Sequence, residues 1–282
     1  MKTNTFGSRM IRVLLLAVLA PPAIAQSLQL PGASVTMPGE GVVAVPESGI
    51  VGRRKADAAA LARLSTVGAE GLPDAVRDPR LLATGLARQL AKVRTYGSWS
   101  VLLDPGMPQL AAHDAILIAF VADVREPDAA HVAQTAWDGN DYVYDDWMAI
   151  KDAEFAGLAG WVRSGPLGRS ALRDRLGLRK YVQVLRQEQP LGAETYAYGG
   201  RRYVLLSYEI PLAGDFAALF QGPHGPVLQG PLRLELWVEA ASGLLVKAHA
   251  FGVAAPDGTL PWELEQVFVG YGDSLRIEAP RR

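Results

Sequence analysis

The sequence predicts an α+β fold, a strongly curved antiparallel β-sheet with one apolar face that helices cover. In residues 232–280, apolar and polar side chains alternate with the period of a β-strand, and turn residues interrupt the pattern. An amphipathic helix precedes the first strands. The strand at 116–124 is apolar on both faces, which indicates that both faces are covered.

The first 25 residues have the pattern of a secretory signal peptide. Three basic residues precede an apolar run, Val13–Ala20, that is too short for a stable membrane span, and Ala-Ile-Ala at 23–25 provides small residues for cleavage. We therefore expect an exported, periplasmic protein whose mature chain begins at Gln26 and has no transmembrane segment. A retained N-terminal anchor is the alternative.

The chain contains no cysteine, which excludes disulfides, thiol nucleophiles and lipid attachment at a signal-peptide cysteine. Without the three basic residues of the signal peptide, 25 Lys and Arg remain against 29 Asp and Glu. This acidic balance argues against nucleic acid as a partner, because nucleic-acid binding requires a basic surface.

The region before residue 77 is rich in proline and glycine. We predict that residues 26–76 form a poorly ordered leader with a short helix at 55–64, and that a half-barrel domain covers 77–282. Val42–Val45 is compatible with an edge strand, but a linker is favoured. The domain should begin with a helix, because Asp78 is a good N-cap and Pro79 suits the first helical position.

Apolar periodicity assigns the remaining elements. Apolar residues from Trp147 onward follow helical spacing and predict a helical insertion at 147–177, interrupted at Gly165-Pro166. The segment Tyr181–Gln187 is predicted to be a strand, and 221–231 an irregular loop rich in glycine and proline. Strands are further predicted at 99–103, 116–124, 131–137, 142–145, 202–210, 232–239, 244–251 and 262–268.

The sequence contains no G-x-S-x-G, H-E-x-x-H, P-loop or helix-opening G-x-G-x-x-G motif. His249 alternates onto the same strand face as Lys247, which predicts a solvated histidine. Glu263 and Glu265 are predicted to solvate the outer face. An acidic cluster favours a solvated hairpin tip over a calcium site; it consists of Asp138, Asp141, Asp145, Asp146 and Asp152. We therefore predict no catalytic residue, metal site or cofactor.

Two hairpin and strand motifs near the C-terminus carry a family resemblance. They are Trp-Val-Glu at 237–239 with Ser-Gly-Leu at 242–244, and Tyr-Gly-Asp at 271–273 with Ile-Glu-Ala-Pro at 277–280. With the order of elements over about residues 80–280, they resemble the periplasmic lipoprotein-carrier (LolA-like) superfamily, including its lipid-binding lipoprotein and stress-sensor branches. The resemblance implies an unclosed half-barrel whose helix-lidded concave face holds acyl chains. The chain departs from it in lacking a lipidation cysteine and in its longer leader and helical insertion.

The favoured hypothesis is a soluble periplasmic carrier or sensor that binds an acyl chain, a lipid or a lipoprotein without covalent chemistry. One alternative is an envelope protein-binding or structural module with a closed core and an envelope protein partner. Another is a hydrolase acting through Asp138, Asp141 or His249. The hydrophobic pocket is predicted to be lined by Ile116, Ile118, Phe120, Val204, Leu206, Tyr208, Leu234, Leu236, Val246, Trp262, Leu264 and Phe268, with Phe155, Leu158 and Trp161 from the lid.

Overall fold

The computed structural model describes most of the chain after residue 48. The described residues are 49–104, 106, 116–137, 139–140, 142–151, 153–157, 177–211, 231–252 and 262–279, together with the backbone of 36–37, 41–42 and 162–164. The predicted signal peptide, the part of the predicted helical insertion at 165–176 and the predicted loop up to residue 230 lie outside these residues.

One antiparallel sheet of 12 strands dominates the fold, in the order β3-β10-β11-β12-β13-β14-β4-β5-β6-β7-β8-β9. Among the described residues its end strands, β3 and β9, each have a single partner, so the sheet is open. The strands are β3 Glu70–Ala75, β4 Thr95–Leu103, β5 Ile116–Arg125, β6 Ala129–Trp137, β7 Tyr142–Ile150, β8 Ala153–Ala156, β9 Val162–Ser164, β10 Gly192–Tyr198, β11 Arg201–Ile210, β12 Leu232–Glu239, β13 Leu244–Gly252 and β14 Glu263–Val269. A separate pair consists of β1 Thr36–Met37 and β2 Gly41–Val42.

Four helices accompany the sheet in the described part of the chain: α1 Ile50–Arg53, α2 Lys55–Ala62, α3 Pro79–Leu90 and α4 Arg179–Gln187. The predicted start of α3 is confirmed, because the Asp78 carboxylate accepts a hydrogen bond from the Leu81 amide at 2.8 Å and Pro79 occupies the first turn. An open antiparallel sheet with a few helices confirms the α+β class. No helix among the described residues is both long and apolar enough to cross a bilayer.

Each side of the sheet packs against a different pair of helices. The larger core cluster joins α3 and α4 to one side, which we call the major face; its strand residues include Tyr96, Phe120, Leu206, Leu234 and Phe268. The opposite side, the minor face, forms two smaller clusters that contain Trp99, Val101, Val267, Trp237 and Val246. Because both sides are packed, the strand at 116–124 is covered on both faces, as its sequence predicted.

Helices α1 and α2 cover part of the minor face. Ile50 and Val51 pack with Trp99 and Val267, and the Asp123 carboxylate accepts the Ile50 amide at 2.8 Å. The prediction of a wet face on the C-terminal strands is therefore wrong where these helices dock: Trp237 is 1% exposed and Lys247 is 4% exposed.

The predicted leader is part of the packed fold from residue 50 onward. The helix predicted at 55–64 is confirmed as α2, but residues 50–53, which were predicted to be part of the poorly ordered leader, form α1. Strand β3 also lies before the predicted domain start at residue 77, and it pairs with β10 at one edge of the main sheet. The prediction from local composition failed for this segment because α1 and α2 make their apolar contacts with strands that are distant in sequence.

Two segments have the opposite secondary structure to the one predicted. The predicted insertion from Trp147 is not helical where it is described, because β7 continues in unbroken register with β6 and is followed by β8 and β9. Conversely, 181–187 belongs to helix α4 and not to a strand. Leu178, Tyr181, Val182 and Leu185 follow helical spacing and are buried in the larger cluster, which explains the α4 helix.

Candidate functional site

The major face brings together most of the predicted pocket residues. Those that lie in its core cluster or pack against it are Ile118, Phe120, Val204, Leu206, Tyr208, Leu234, Leu236, Trp262, Leu264 and Phe268. They come from β5, β11, β12 and β14 and from the residue before β14. Alternation along adjacent antiparallel strands therefore places residues that are distant in sequence on one apolar surface.

Two predicted residues face the other side of the sheet. Val246 packs in a minor-face cluster, and Ile116 packs in the other one. A register shift lies beside each residue, opposite Trp237/Val238 on β12 and opposite Leu102/Leu103 on β4. A bulge adds a residue to one strand, so the simple alternation that placed both residues on the major face fails there.

Of the three predicted lid residues, Phe155 is described, and it is not on a helix over the major face. Phe155 is in strand β8, opposite Met148 of β7 and Arg163 of β9, and is partly buried. Leu158 and Trp161 lie outside the described residues. Helices α3 and α4 instead contribute the helical side of the larger core cluster.

Helix α4 is joined to the sheet by a buried polar chain. The Tyr181 hydroxyl donates to Gln266 Oε1, and Gln266 Nε2 donates to Ser100 Oγ at 2.8 Å. The Tyr181 ring also meets Phe268 edge-on, with 5.8 Å between centroids. These contacts hold α4 directly against β14 and β4.

Three other polar atoms on this side of the core are sealed from solvent and have no hydrogen-bond partner among the residues that the structure describes. They are Ser98 Oγ, Trp147 Nε1 and Tyr208 OH, on β4, β7 and β11. Burial raises the pKa of the Tyr208 phenol, so the group stays neutral and available as a donor. Such atoms usually find partners in folded proteins, because an unmade buried hydrogen bond costs about 1–3 kcal/mol.

Lys180 is buried beside this chain, with its Nζ 4.8 Å from the centroid of the Tyr181 ring. Burial lowers the pKa of its amine to about 7. A substantial fraction of Lys180 is therefore uncharged near neutral pH, which reduces the electrostatic cost of placing it inside the fold.

The candidate polar residues do not form a metal site among the residues that the structure describes. Asp146 pairs with His131 Nε2 at 2.7 Å, whereas Asp138, Asp141 and Asp152 lie outside the described residues. Glu265 is 8% exposed and pairs with Lys247 at 3.4 Å, so the prediction that it solvates an outer face is wrong.

His249 is partly buried between carboxylates and is not a freely solvated histidine. Its Nε2 lies 3.3 Å from Glu263 and its Nδ1 lies 3.6 Å from Glu235, on the neighbouring strands. Burial lowers the pKa of the imidazole, but these carboxylates outweigh burial and raise the pKa to about 9. His249 therefore carries a proton at neutral pH and has an electrostatic role in the fold.

Sequence reasoning missed the polar atoms of the major face. Gln266 was visible as a polar break in the alternation of β14, and Ser98 and Ser100 form the same kind of break in β4. Such breaks in a strand that is otherwise apolar mark buried hydrogen-bonding positions. Tyr181 was hidden because its segment was assigned to a strand.

Solved structures similar to this chain include one from Mycobacterium bovis and one from Nitrosomonas europaea. No family model and no curated protein matches the chain. The chain is similar to LprF from Mycobacterium bovis, with 13% identity and a TM-score of 0.49, over 73% of this chain and 98% of that one. It is also similar to the LolA superfamily protein NE2245 from Nitrosomonas europaea, with 10% identity and a TM-score of 0.26, over 69% and 94%.

Proposed function

We propose that the protein is an exported, periplasmic carrier or sensor that binds an acyl chain, a lipid or a lipoprotein on the major face without covalent chemistry. The sheet curves so that the major face is concave, and α3 and α4 cover it as a lid. The observation that carries the proposal is the combination of a broad apolar face with polar atoms that are buried and unpartnered.

The unpartnered atoms suit a ligand with acceptor oxygens. Trp147 Nε1 is only a donor, and the hydroxyls of Ser98 and Tyr208 can donate. An ester-linked acyl chain presents carbonyl oxygens to such donors and methylene groups to the apolar residues around them. Each buried methylene contributes about 0.8 kcal/mol, before the cost of ordering the chain is subtracted.

Ligand entry requires α4 to move away from the sheet. The Tyr181 side chain packs over Phe268 and Gln266. Moving α4 breaks this hydrogen-bonded chain and exposes the apolar face of the helix, and burial of a long acyl chain against the same surfaces offsets that cost. Helix α4 therefore takes the lid position that the sequence had assigned to 155–161.

Native mass spectrometry of protein purified without denaturant, followed by lipid extraction, tests this function. We expect a bound lipid, or uptake of an ester lipid by the lipid-free protein. Leu206→Trp, on the major face, should block uptake, whereas Leu72→Trp, at a residue that is 95% exposed, should not. Absence of any bound or acquired lipid in correctly folded protein would reject the carrier function.

The direct docking of Tyr181 favours one alternative, an envelope protein-binding or structural module with a closed core. In that case the lipid-free protein would capture a defined protein partner, and Leu206→Trp would leave capture unchanged as long as the protein folds. N-terminal sequencing of the secreted chain tests the export proposal separately, with Gln26 expected as the first residue.

A further inference from the structure

A cleft lies at one end of the helical layer, between α3 and α4. It has a volume of about 290 Å³ and is formed by the end of α3, the segment leading into β4, the turn between β5 and β6, and the first two turns of α4. This volume is at the lower end of the range for small-molecule sites. The cleft is therefore large enough for a small ligand and too small for a two-chain lipid.

The inner part of the cleft is apolar. Leu90 at the end of α3 and Leu178 and Val182 of α4 line it, and each of them is less than a tenth exposed. Val93, on the way into β4, adds a partly buried side chain. A short hydrocarbon tail that packs against these four residues would be removed from water.

The charged residues of the cleft are mainly arginines. Arg179 Nε pairs with Glu126 Oε2 at 2.9 Å, which balances one positive charge. Arg94 and Arg186 also line the cleft and are exposed, and neither side chain forms an ion pair or hydrogen bond within the described part of the chain. Two uncompensated guanidinium groups thus border an apolar pocket in a chain whose overall formal charge is −1.

We propose that this cleft binds an amphiphilic anion, a molecule with a carboxylate head and one short apolar tail such as a medium-chain fatty acid. The head lies between Arg94 and Arg186, where guanidinium groups can offer paired N–H donors to a planar carboxylate. The tail lies on Leu90, Val93, Leu178 and Val182. The site does not depend on the function proposed for the major face.

Titration calorimetry with octanoate tests the proposal, with octanol matching the tail and acetate matching the head. We expect saturable octanoate binding that weakens with added salt, and affinities at least about tenfold lower for octanol and acetate. In the protein with both Arg94→Gln and Arg186→Gln, octanoate affinity should fall at least about tenfold, equivalent to about 1.4 kcal/mol. Amide shifts in NMR spectra should cluster at 90–94 and 178–186.

The control is the protein with both Arg88→Gln and Arg202→Gln, which removes the same charge from exposed positions outside the cleft. It should bind octanoate as the parent protein does. Equal losses in both variants would overturn the proposal, because they would indicate a nonspecific charge effect. Octanoate binding that Leu206→Trp abolishes and the cleft variant leaves intact would also overturn it, while supporting the major-face function. Absence of octanoate binding together with lipid uptake would reject the cleft alone.

Discussion

At the scale of single residues, two buried tyrosines of the same core differ in how their hydroxyls are satisfied. Tyr181 OH donates to Gln266, whereas Tyr208 OH has no hydrogen-bond partner in the described part of the chain, although both residues are at most 1% exposed. A buried hydroxyl without a partner lowers the stability of the fold, so its removal should be favourable. Removal of a hydroxyl that donates a hydrogen bond leaves the buried acceptor unpaired, so it should be unfavourable. The same chemical change should therefore have opposite effects at the two positions.

We predict that Tyr208→Phe raises the free energy of unfolding of the lipid-free protein by about 1 kcal/mol, and that Tyr181→Phe lowers it by about 1–3 kcal/mol. Urea unfolding at neutral pH measures both changes. Each variant is the matched control for the other, since both lose one phenolic oxygen. A loss of stability in Tyr208→Phe would contradict the assignment of its hydroxyl as unsatisfied. If the hydroxyl serves an ester ligand, the same variant should bind that ligand more weakly.

His249 provides a second residue-scale prediction, on pH dependence. Its folded pKa of about 9 exceeds the ordinary 6.5, so its stabilisation is complete below pH 6.5, declines above it and is lost as pH rises past about 9. The upper limit is on the order of 3 kcal/mol. The folded pKa of Lys180 is lowered to about 7, so the contribution of Lys180 to the free energy of unfolding rises between pH 7 and 10.5. The pH dependence of the total stability therefore mixes the contributions of His249 and Lys180.

Lys180 is present in both the parent protein and the His249→Gln variant, so its contribution cancels in the difference between their free energies of unfolding. We predict that this difference favours the parent most at pH 6 and shrinks steadily towards pH 9. Chemical unfolding at four or five pH values measures it. A difference that is constant with pH would show that the carboxylates of Glu235 and Glu263 do not stabilise the protonated imidazole.

At the scale of elements, the docking of α1 depends on a glycine, Gly97, in strand β4. A Cβ at Gly97 of β4 would lie 2.9 Å from methyl carbons of Ile50 and Val51. Those two residues are buried against the minor face, and they have little room to shift. Glycine at 97 therefore lets α1 approach the strand closely.

We predict that Gly97→Ala destabilises the protein by about 1–3 kcal/mol through overpacking, with a selective increase in amide hydrogen exchange in α1 and α2. Gly85→Ala is the matched control, because a Cβ there meets nothing within 4 Å and alanine favours the interior of α3; it should stabilise by about 0.5–1 kcal/mol. Adding Ile50→Ala to Gly97→Ala should restore part of the close packing. Uniform exchange in Gly97→Ala would contradict the docking argument.

The elements also show what the sequence could predict. Strands that alternate regularly, such as β11 and β12, were predicted because one face is uniformly apolar. The α4 segment was not, because Tyr181–Gln187 is short and its apolar residues fit two periods, and only packing on β14 and β4 selects the helix. Val246 and Ile116 were misplaced because a bulge depends on pairing with a partner strand, which the local pattern does not encode.

At the scale of the whole molecule, the two faces of one sheet have separate roles. The major face carries the proposed lipid site beneath α3 and α4, and the minor face is covered in part by the segment from residue 50 to Leu64. Lys247 links this segment to the sheet: its Nζ donates to the carbonyls of Ala62 and Leu64, both at 2.9 Å, and pairs with Glu265. The segment is therefore part of the packed structure that supports the main sheet.

This arrangement predicts the effect of starting the chain at residue 77, the domain start expected from the sequence. Removal of α1 and α2 would expose Trp99 and Trp237 and leave Lys247 without two of its acceptors, and removal of β3 would open the edge of β10. Because full burial of each large apolar side chain contributes about 1.5–3 kcal/mol, the loss should reach several kcal/mol. A chain starting at residue 49 is the control, since it keeps all three elements. We expect the 77–282 chain to bind a hydrophobic dye, to self-associate and to unfold at a lower urea concentration. The 49–282 chain should unfold cooperatively. Equal urea midpoints for the two chains would refute the structural role of the segment.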